Sequence, residues 1–403
     1  MDRKKVITIF LIVFVNFMGA SIVQPVLPLY AGNRFGASPE TISLLLASFF
    51  AAQFLAAPVL GRISDRRGRL PVLIVSQIGT FISFLILGGA ESLTVLFLGR
   101  ILDGITGGNV IVAQAYLTDI APRKQRTQAL GVVFSAFGLG YILGPAIGGF
   151  VSAAFGDRAA FLVAATVSLV TVLITWLMLD ESLTPEKRQQ RRENKQVKLG
   201  LSEVLANSSL LICMLIGFGG QFSIALLTST IAMYGEHVIF AGQPLDMIHL
   251  GNGLMLTGFG FGQIFTQFVL VKPLVKRFGE HRLVVIGAVL RSMSLFSIAL
   301  IVSPFYVGGF ALPLVAIASG IMMPSLQSIA TTTVPEEVNG GALGWYQSAA
   351  SMGIIIGTAM GGRLFASDPA LPFIIGGITL ALTLFPAITL MRRQGALPAP
   401  SMA

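Results

Sequence analysis

The chain has 403 residues, 54% of them hydrophobic and only 11% charged, where an ordinary soluble domain carries about 25% charged residues. Apolar stretches of about 20 residues recur along its whole length, which excludes a soluble domain; none shows the alternation of barrel strands. The net charge of +9 would suit a nucleic-acid binder, but its distribution does not. The clusters Arg3–Lys5, Arg62–Arg69, Arg123–Arg126, Lys187–Lys198, Lys272–Arg282 and Arg392–Arg393 all fall where an even number of membrane crossings returns the chain to one side. That is the distribution of positive-inside loops, and it predicts cytoplasmic termini and no nucleic-acid partner.

In chain order, Arg3, Lys4 and Lys5 precede an apolar run over 6–31. It is too long for a cleaved signal segment and lacks an A-x-A site, so it is expected to be the first membrane helix. Further spans are expected at 41–60, 71–89, 94–120, 128–153, 159–179, 208–234, 247–270, 283–302, 306–331, 341–365 and 372–391. The fold class expected is all-α and polytopic, with twelve helices in two pseudo-symmetric six-helix bundles. Between the sixth and seventh helices, 180–202 is polar and carries six Lys/Arg. It reads as a cytoplasmic linker, dividing the chain into 1–179, a linker at 180–207, and 208–403. The halves repeat: adding 213 carries Gly140, Gly144, Gly148 and Gly149 onto Gly353, Gly357, Gly361 and Gly362. Adding 211 carries Gly68 onto Gly279, although Lys276 then stands where Asp65 would. Parallel six-helix repeats around a central cavity are a transporter architecture.

Three stretches carry polar chemistry. Gly61–Leu73 reads G-x-x-x-D-R-x-G-R-x-P-V-L and is expected to be the turn between helices 2 and 3. In helix 4, LGRILDGITGG, Arg100 and Asp103 lie three apart on one helix face and can pair. Counted from Ser92, Asp103 lies roughly 16 Å into the membrane. It is the only carboxylate deep within any expected span, so it reads as a proton site with Arg100 beside it, or as a permanent ion pair. Helix 5 carries GLGYILGPAIGGF, in which Gly140, Gly144 and Gly148 line one face for close helix packing and Pro145 permits a bend.

These motifs resemble those of the major facilitator superfamily, specifically its twelve-helix drug–proton antiporters, with tetracycline-resistance-like efflux proteins the nearest match. The resemblance implies proton-coupled export of small lipophilic or drug-like molecules across a bacterial cell membrane, with no cofactor, by a monomer in the lipid bilayer. It gives Gly61, Asp65, Arg66, Gly68 and Arg69 the role of a gate closed by an Arg69–Asp119 pair. It makes Gly140, Gly144, Pro145, Gly148 and Gly149 an antiporter signature, and implicates Arg100 in proton coupling. The pattern also fails in places: Asn16 replaces the helix-1 acid of tetracycline pumps, and their helix-3 acid falls on Ser83. Asn16, Gln24, Gln53, Asn109, Gln114, Gln221, Gln327 and Tyr346 are candidates to line a substrate cavity. Arg291, deep in helix 9, reads as a substrate-anion partner or a snorkelling cation. It supports an alternative, a proton-independent facilitator or a lipid or organic-anion carrier using Arg100 and Arg291. No HExxH, GxSxG, Walker A or cysteine metal cluster is present, so neither an enzyme nor a metal site is expected.

Overall fold

The computed structural model describes residues 3–107, 112–113, 115–116, 119, 126–182, 199–335 and 338–395. Among these there is no strand. The long helices, labelled in chain order, are α1 (Arg3–Phe35), α2 (Pro39–Arg67), α3 (Arg69–Gly88), α4 (Leu93–Thr106), α5 (Arg126–Phe155) and α6 (Asp157–Met178). The second set is α7 (Ser208–Tyr234), α8 (Leu245–Phe265), α9 (Glu280–Leu300), α10 (Leu312–Thr332), α11 (Asn339–Ser367) and α12 (Leu371–Gly395). Single π-helical turns extend α7 through Gly235–Ile239 and α8 through Thr266–Leu270, and precede α10 at Val307–Ala311. Eleven helices among the described residues are long and apolar enough to cross a membrane. The twelfth expected span, 94–120, is described as helix over Leu93–Thr106 and at scattered positions beyond it.

Local chemistry sets the helix ends. Ser38, Ser92 and Asn207 each accept a hydrogen bond from the backbone N–H three residues on, capping α2, α4 and α7. Gly61–Leu73 is not a loop. α2 continues through Arg67 and α3 begins at Arg69, so the chain reverses at one residue, Gly68 (φ 109°). A side chain rarely adopts that φ, which is why the break is a glycine. Gly279 (φ 74°) makes the same one-residue break before α9, so the weaker sequence echo corresponds to an equivalent backbone turn.

The glycine repeat has a geometric counterpart. Gly140, Gly144 and Gly148 of α5 lie so close to Phe17, Met18, Ser21 and Ile22 of α1 that a Cβ would clash. Gly353, Gly357 and Gly361 of α11 stand in the same relation to Phe218, Phe222 and Ser229 of α7. The fourth glycine of each set faces the other bundle: Gly149 meets the His249 carbonyl on α8, and Gly362 meets the Pro39 carbonyl and Ser43 on α2. Thus i, i+4, i+8 seals each bundle internally, and i+9 joins the bundles across a pseudo-two-fold seam.

That seam closes the end of the molecule opposite the termini. There Asn33 donates to Glu236 (3.0 Å) and buried His249 lies 3.2 Å from Asp157, both links running between bundles. At the terminal end, by contrast, a Cβ at Gly61 of α2, or at Gly340 or Gly344 of α11, would meet nothing within 4 Å. Outward, Phe155, Leu177, Leu300, Phe305 and Phe385 are each more than 70% exposed, an apolar surface suited to lipid.

Candidate functional site

A cavity of about 210 Å³ opens among α1–α5. It is bordered by Asn16, Phe17, Ala20, Ser21 and Gln24 of α1; Phe49, Phe50 and Gln53 of α2; Thr80 of α3; Arg100 and Asp103 of α4, with Gly107 just beyond that helix; and Tyr141 of α5. The helix spacing that puts Arg100 and Asp103 on one face lets Arg100 Nη1 donate to Asp103 Oδ2 at 2.9 Å. Both side chains are buried. The guanidinium also lies over the Phe49 ring, 4.3 Å from its centroid, a cation–π contact. α2 can deliver that ring because Gly104 lets the two backbones meet. Gln24 donates to the Tyr141 hydroxyl (3.0 Å) and Gln53 to the Gly107 carbonyl (3.0 Å), so two amides are held in place by cavity-lining partners.

The first-bundle candidates Asn16, Gln24 and Gln53 therefore converge with Arg100 and Asp103. Asn109 and Gln114 lie outside the described residues. The second-bundle candidates do not border this cavity. Gln327 is exposed, Gln221 is partly buried, and Tyr346 is buried with its hydroxyl on Met323 Sδ (3.5 Å). Arg291 requires a correction. It neither snorkels nor borders the cavity; it is fully buried, donating to the Gly220 carbonyl of α7 and to Ser319 Oγ of α10. Charge buried at that depth is tolerable only with such acceptors, and they come from neighbouring helices that sequence spacing cannot identify. Ser83 is likewise sealed, donating to the Gly99 carbonyl (2.7 Å) and tying α3 to α4.

At the terminal end of the first bundle, Arg69 gathers three partners. It donates to Asp119 Oδ2 (3.0 Å), Asp65 Oδ1 (2.7 Å) and Ser64 Oγ (2.9 Å). Arg69 and Asp119 are each only 5% exposed. Glu181, beyond the end of α6, accepts from the backbone N–H groups of Arg69 and Leu70, capping α3. Sequence reading missed this contact, because an acid at the start of a polar linker gives no sign of which helix it caps. Arg66 is exposed. Pro145 lies within α5, and its carbonyl faces Gly253 of α8, at 2.5 Å from a Cβ built there. The sequence reading also passed over Tyr141 and Thr80 as cavity residues; an aromatic ring inside the glycine-rich helix-5 motif was the available signal for the first.

At the opposite end, Arg158 donates to Glu91 and to the Ala90 carbonyl, and Arg34 reaches Glu91 at 3.4 Å. The Arg158 guanidinium beside Glu91, with Arg34 second, holds that exposed carboxyl below the usual glutamate range. Arg34 and Arg158, basic residues at the end opposite the termini, are thus matched by an acid.

The Major Facilitator Superfamily family model matches residues 9–248 and 226–402. The chain belongs to the major facilitator superfamily. It is a multi-pass membrane transporter and not an enzyme, with the superfamily's two pseudo-symmetric helical bundles. It is 29% identical over 367 residues to the class E tetracycline resistance protein of Escherichia coli, covering 91% of this chain and 89% of that protein. It is 27% identical over 393 residues to multidrug resistance protein 2 of Bacillus subtilis (strain 168), covering 95% and 94%. Among solved structures, the human organic anion transporter MFSD10 (TETRAN) superposes with a TM-score of 0.71 at 22% identity, covering 96% of this chain and 99% of that one. A bacterial homologue of the human lysosomal transporter Spinster, inward-facing and occupied, gives 0.76 at 17% identity over 98% of each. These likenesses concern the fold.

Proposed function

We propose that this superfamily transporter exports small lipophilic, drug-like molecules from the cytoplasm in exchange for inward-moving protons, by alternating access. The observation that carries the reading is that Asp103, ion-paired to Arg100, borders a cavity. A carboxylate at mid-membrane depth is costly, and one beside an opening can trade protons with it. The similarity to tetracycline- and multidrug-resistance proteins favours efflux. With the basic loops at the cytoplasmic face, the terminal end is cytoplasmic and the seam at Gly149 and Gly362 closes the outer end. In this state substrate enters the cavity and Asp103 releases its proton inward. In the opposite state protonation from outside favours substrate release.

Residues 1–179 and 208–403 act as the two moving bundles, joined by the linker at 180–207. Arg69, Asp65 and Asp119, with Gly61, Arg66 and Gly68 around them, lie at the cytoplasmic gate; their pairing is made within the first bundle while the outer seam is shut, so it does not by itself close that gate. The glycines of α5 and Pro145 form the sliding seam. The transporter works as a monomer in the bacterial cell membrane.

Transport in inverted membrane vesicles tests the reading. Uphill uptake of substrate into the vesicles should follow an imposed proton gradient and cease when the gradient is collapsed. Uptake indifferent to the gradient would overturn proton coupling.

A further inference from the structure

We propose that the cavity selects uncharged aromatic molecules bearing both hydrogen-bond donors and acceptors, and that Asn16 is a residue that sets this preference against cations. The inference rests on the proposed proton-coupled transport and adds the class of substrate. The charges bordering the cavity are one arginine and one aspartate, already paired at 2.9 Å. The undescribed positions following α4, 108–111 and 114, are Gly, Asn, Val, Ile and Gln, and add none. Among the described residues of the second bundle, the fully buried arginine is Arg291, and it is sealed on Gly220 and Ser319. A lipophilic cation entering here finds no carboxylate except one it must take from a guanidinium at close range.

What the cavity offers is uncharged. Asn16, Gln24 and Gln53 supply amides, the Tyr141 hydroxyl accepts from Gln24 and keeps its own proton to donate, and Phe17, Phe49 and Phe50 supply ring faces. At about 210 Å³ the space is smaller than the roughly 300–1,000 Å³ of drug-sized pockets, which suits one fused-ring system.

The same chemistry explains how an uncharged molecule displaces a proton. Arg100 donates to Oδ2 of Asp103 and Thr80 lies beside the same carboxyl, and a carboxylate has further lone pairs with which to accept. A substrate N–H or O–H donating to that carboxylate favours its ionised form and expels its proton. A bound anion does the reverse, stabilising protonated Asp103 beside Arg100, and would travel with protons and not against them.

Equilibrium binding to the purified full-length protein in nanodiscs separates the charge preference from the coupling. The probes are neutral 4-amino-1,8-naphthalimide, the cation tetraphenylphosphonium and the anion 1-anilinonaphthalene-8-sulfonate. The wild type should bind the neutral dye most tightly of the three. Asn16→Asp, which adds one negative charge to the wall at nearly constant shape, should raise tetraphenylphosphonium affinity about tenfold. Gln24→Glu should move it the same way should Asn16→Asp fail to fold. Wild-type protein that binds tetraphenylphosphonium as tightly as the neutral dye overturns the proposal. So does absence of binding by the neutral dye, or acidic variants that leave the order unchanged. Proton release on binding, read in parallel in weakly buffered solution, reports on the coupling alone: its absence alongside the expected charge preference would sink the coupling and spare the selectivity.

Discussion

Two glycines of α5, nine residues apart, allow a test of how the bundles move. A Cβ at Gly149 would lie 2.5 Å from the His249 carbonyl and 3.0 Å from Gly253 Cα, on the opposite bundle. A Cβ at Gly140 would lie 2.8 Å from Phe17 Cβ and 2.9 Å from the Met18 nitrogen, within its own bundle. Clearance of at least 3.0 Å is needed, so Gly149→Ala must push α8 away by about 0.5 Å and Gly140→Ala must displace α1 by about 0.2 Å. Overpacking of this kind costs about 1–3 kcal/mol. For Gly149 the strain exists only while the outer seam is shut, so opening relieves it, and about 1.4 kcal/mol shifts the population tenfold. For Gly140 the strain is common to both states and shows as lost stability. The reporter is Ser43→Cys, a fully buried position beside Gly362 in the same closed seam, in a Cys213→Ala background free of other thiols. Labelling from outside by a membrane-impermeant maleimide should quicken about tenfold with Gly149→Ala and little with Gly140→Ala. Equal acceleration by both, or none with Gly149→Ala, would refute the division between seam and bundle contacts.

Two other predictions concern the ion pairs. Arg69 bonds Ser64, Asp65 and Asp119 at once, so Arg69→Ala removes three hydrogen bonds, two of them charge-assisted, and should cost about 1.5–3 kcal/mol, read as a lower thermal midpoint. Arg69→Lys should recover little of it, since one ammonium cannot span three acceptors at that geometry. For Glu91, the folded-state pKa lies below its unfolded value. Its stabilisation is therefore complete above the unfolded pKa and is lost as pH falls through the folded one. The small difference in Tm between wild type and Glu91→Gln should accordingly be present near neutrality and vanish in acid; a difference that grows on acidification would contradict the assignment to Arg158 and Arg34.

Much of the architecture is legible in the sequence because a membrane enforces a simple rule: spans must be long, apolar and helical, and charge marks the inner loops. The helix-4 pair was readable for the same reason, since an i, i+3 spacing fixes relative direction without knowledge of neighbours. Helix-to-helix rotation was not readable. Spacing makes Arg291 a substrate-anion partner or a snorkelling cation, yet Gly220 and Ser319 hold it, and Tyr141 and Phe49 gain their roles from helices distant in sequence. Nor does spacing distinguish a loop from a one-residue break: Gly61–Arg67 is polar because it projects beyond the apolar layer, yet it remains helix to its last residue. The doubled glycines, by contrast, encode both the intra-bundle and inter-bundle contacts in a single register, since adjacent helical positions face about 100° apart.

Transport by Asp103→Asn tests most directly the proposal that Asp103 carries the coupled proton. Asparagine keeps the side-chain shape and an acceptor for Arg100 but cannot titrate. Reconstituted in proteoliposomes, this variant should still exchange the neutral naphthalimide down its own gradient, while an imposed pH gradient should no longer drive accumulation or produce substrate-linked proton flux. Undiminished uphill accumulation by Asp103→Asn would contradict the account.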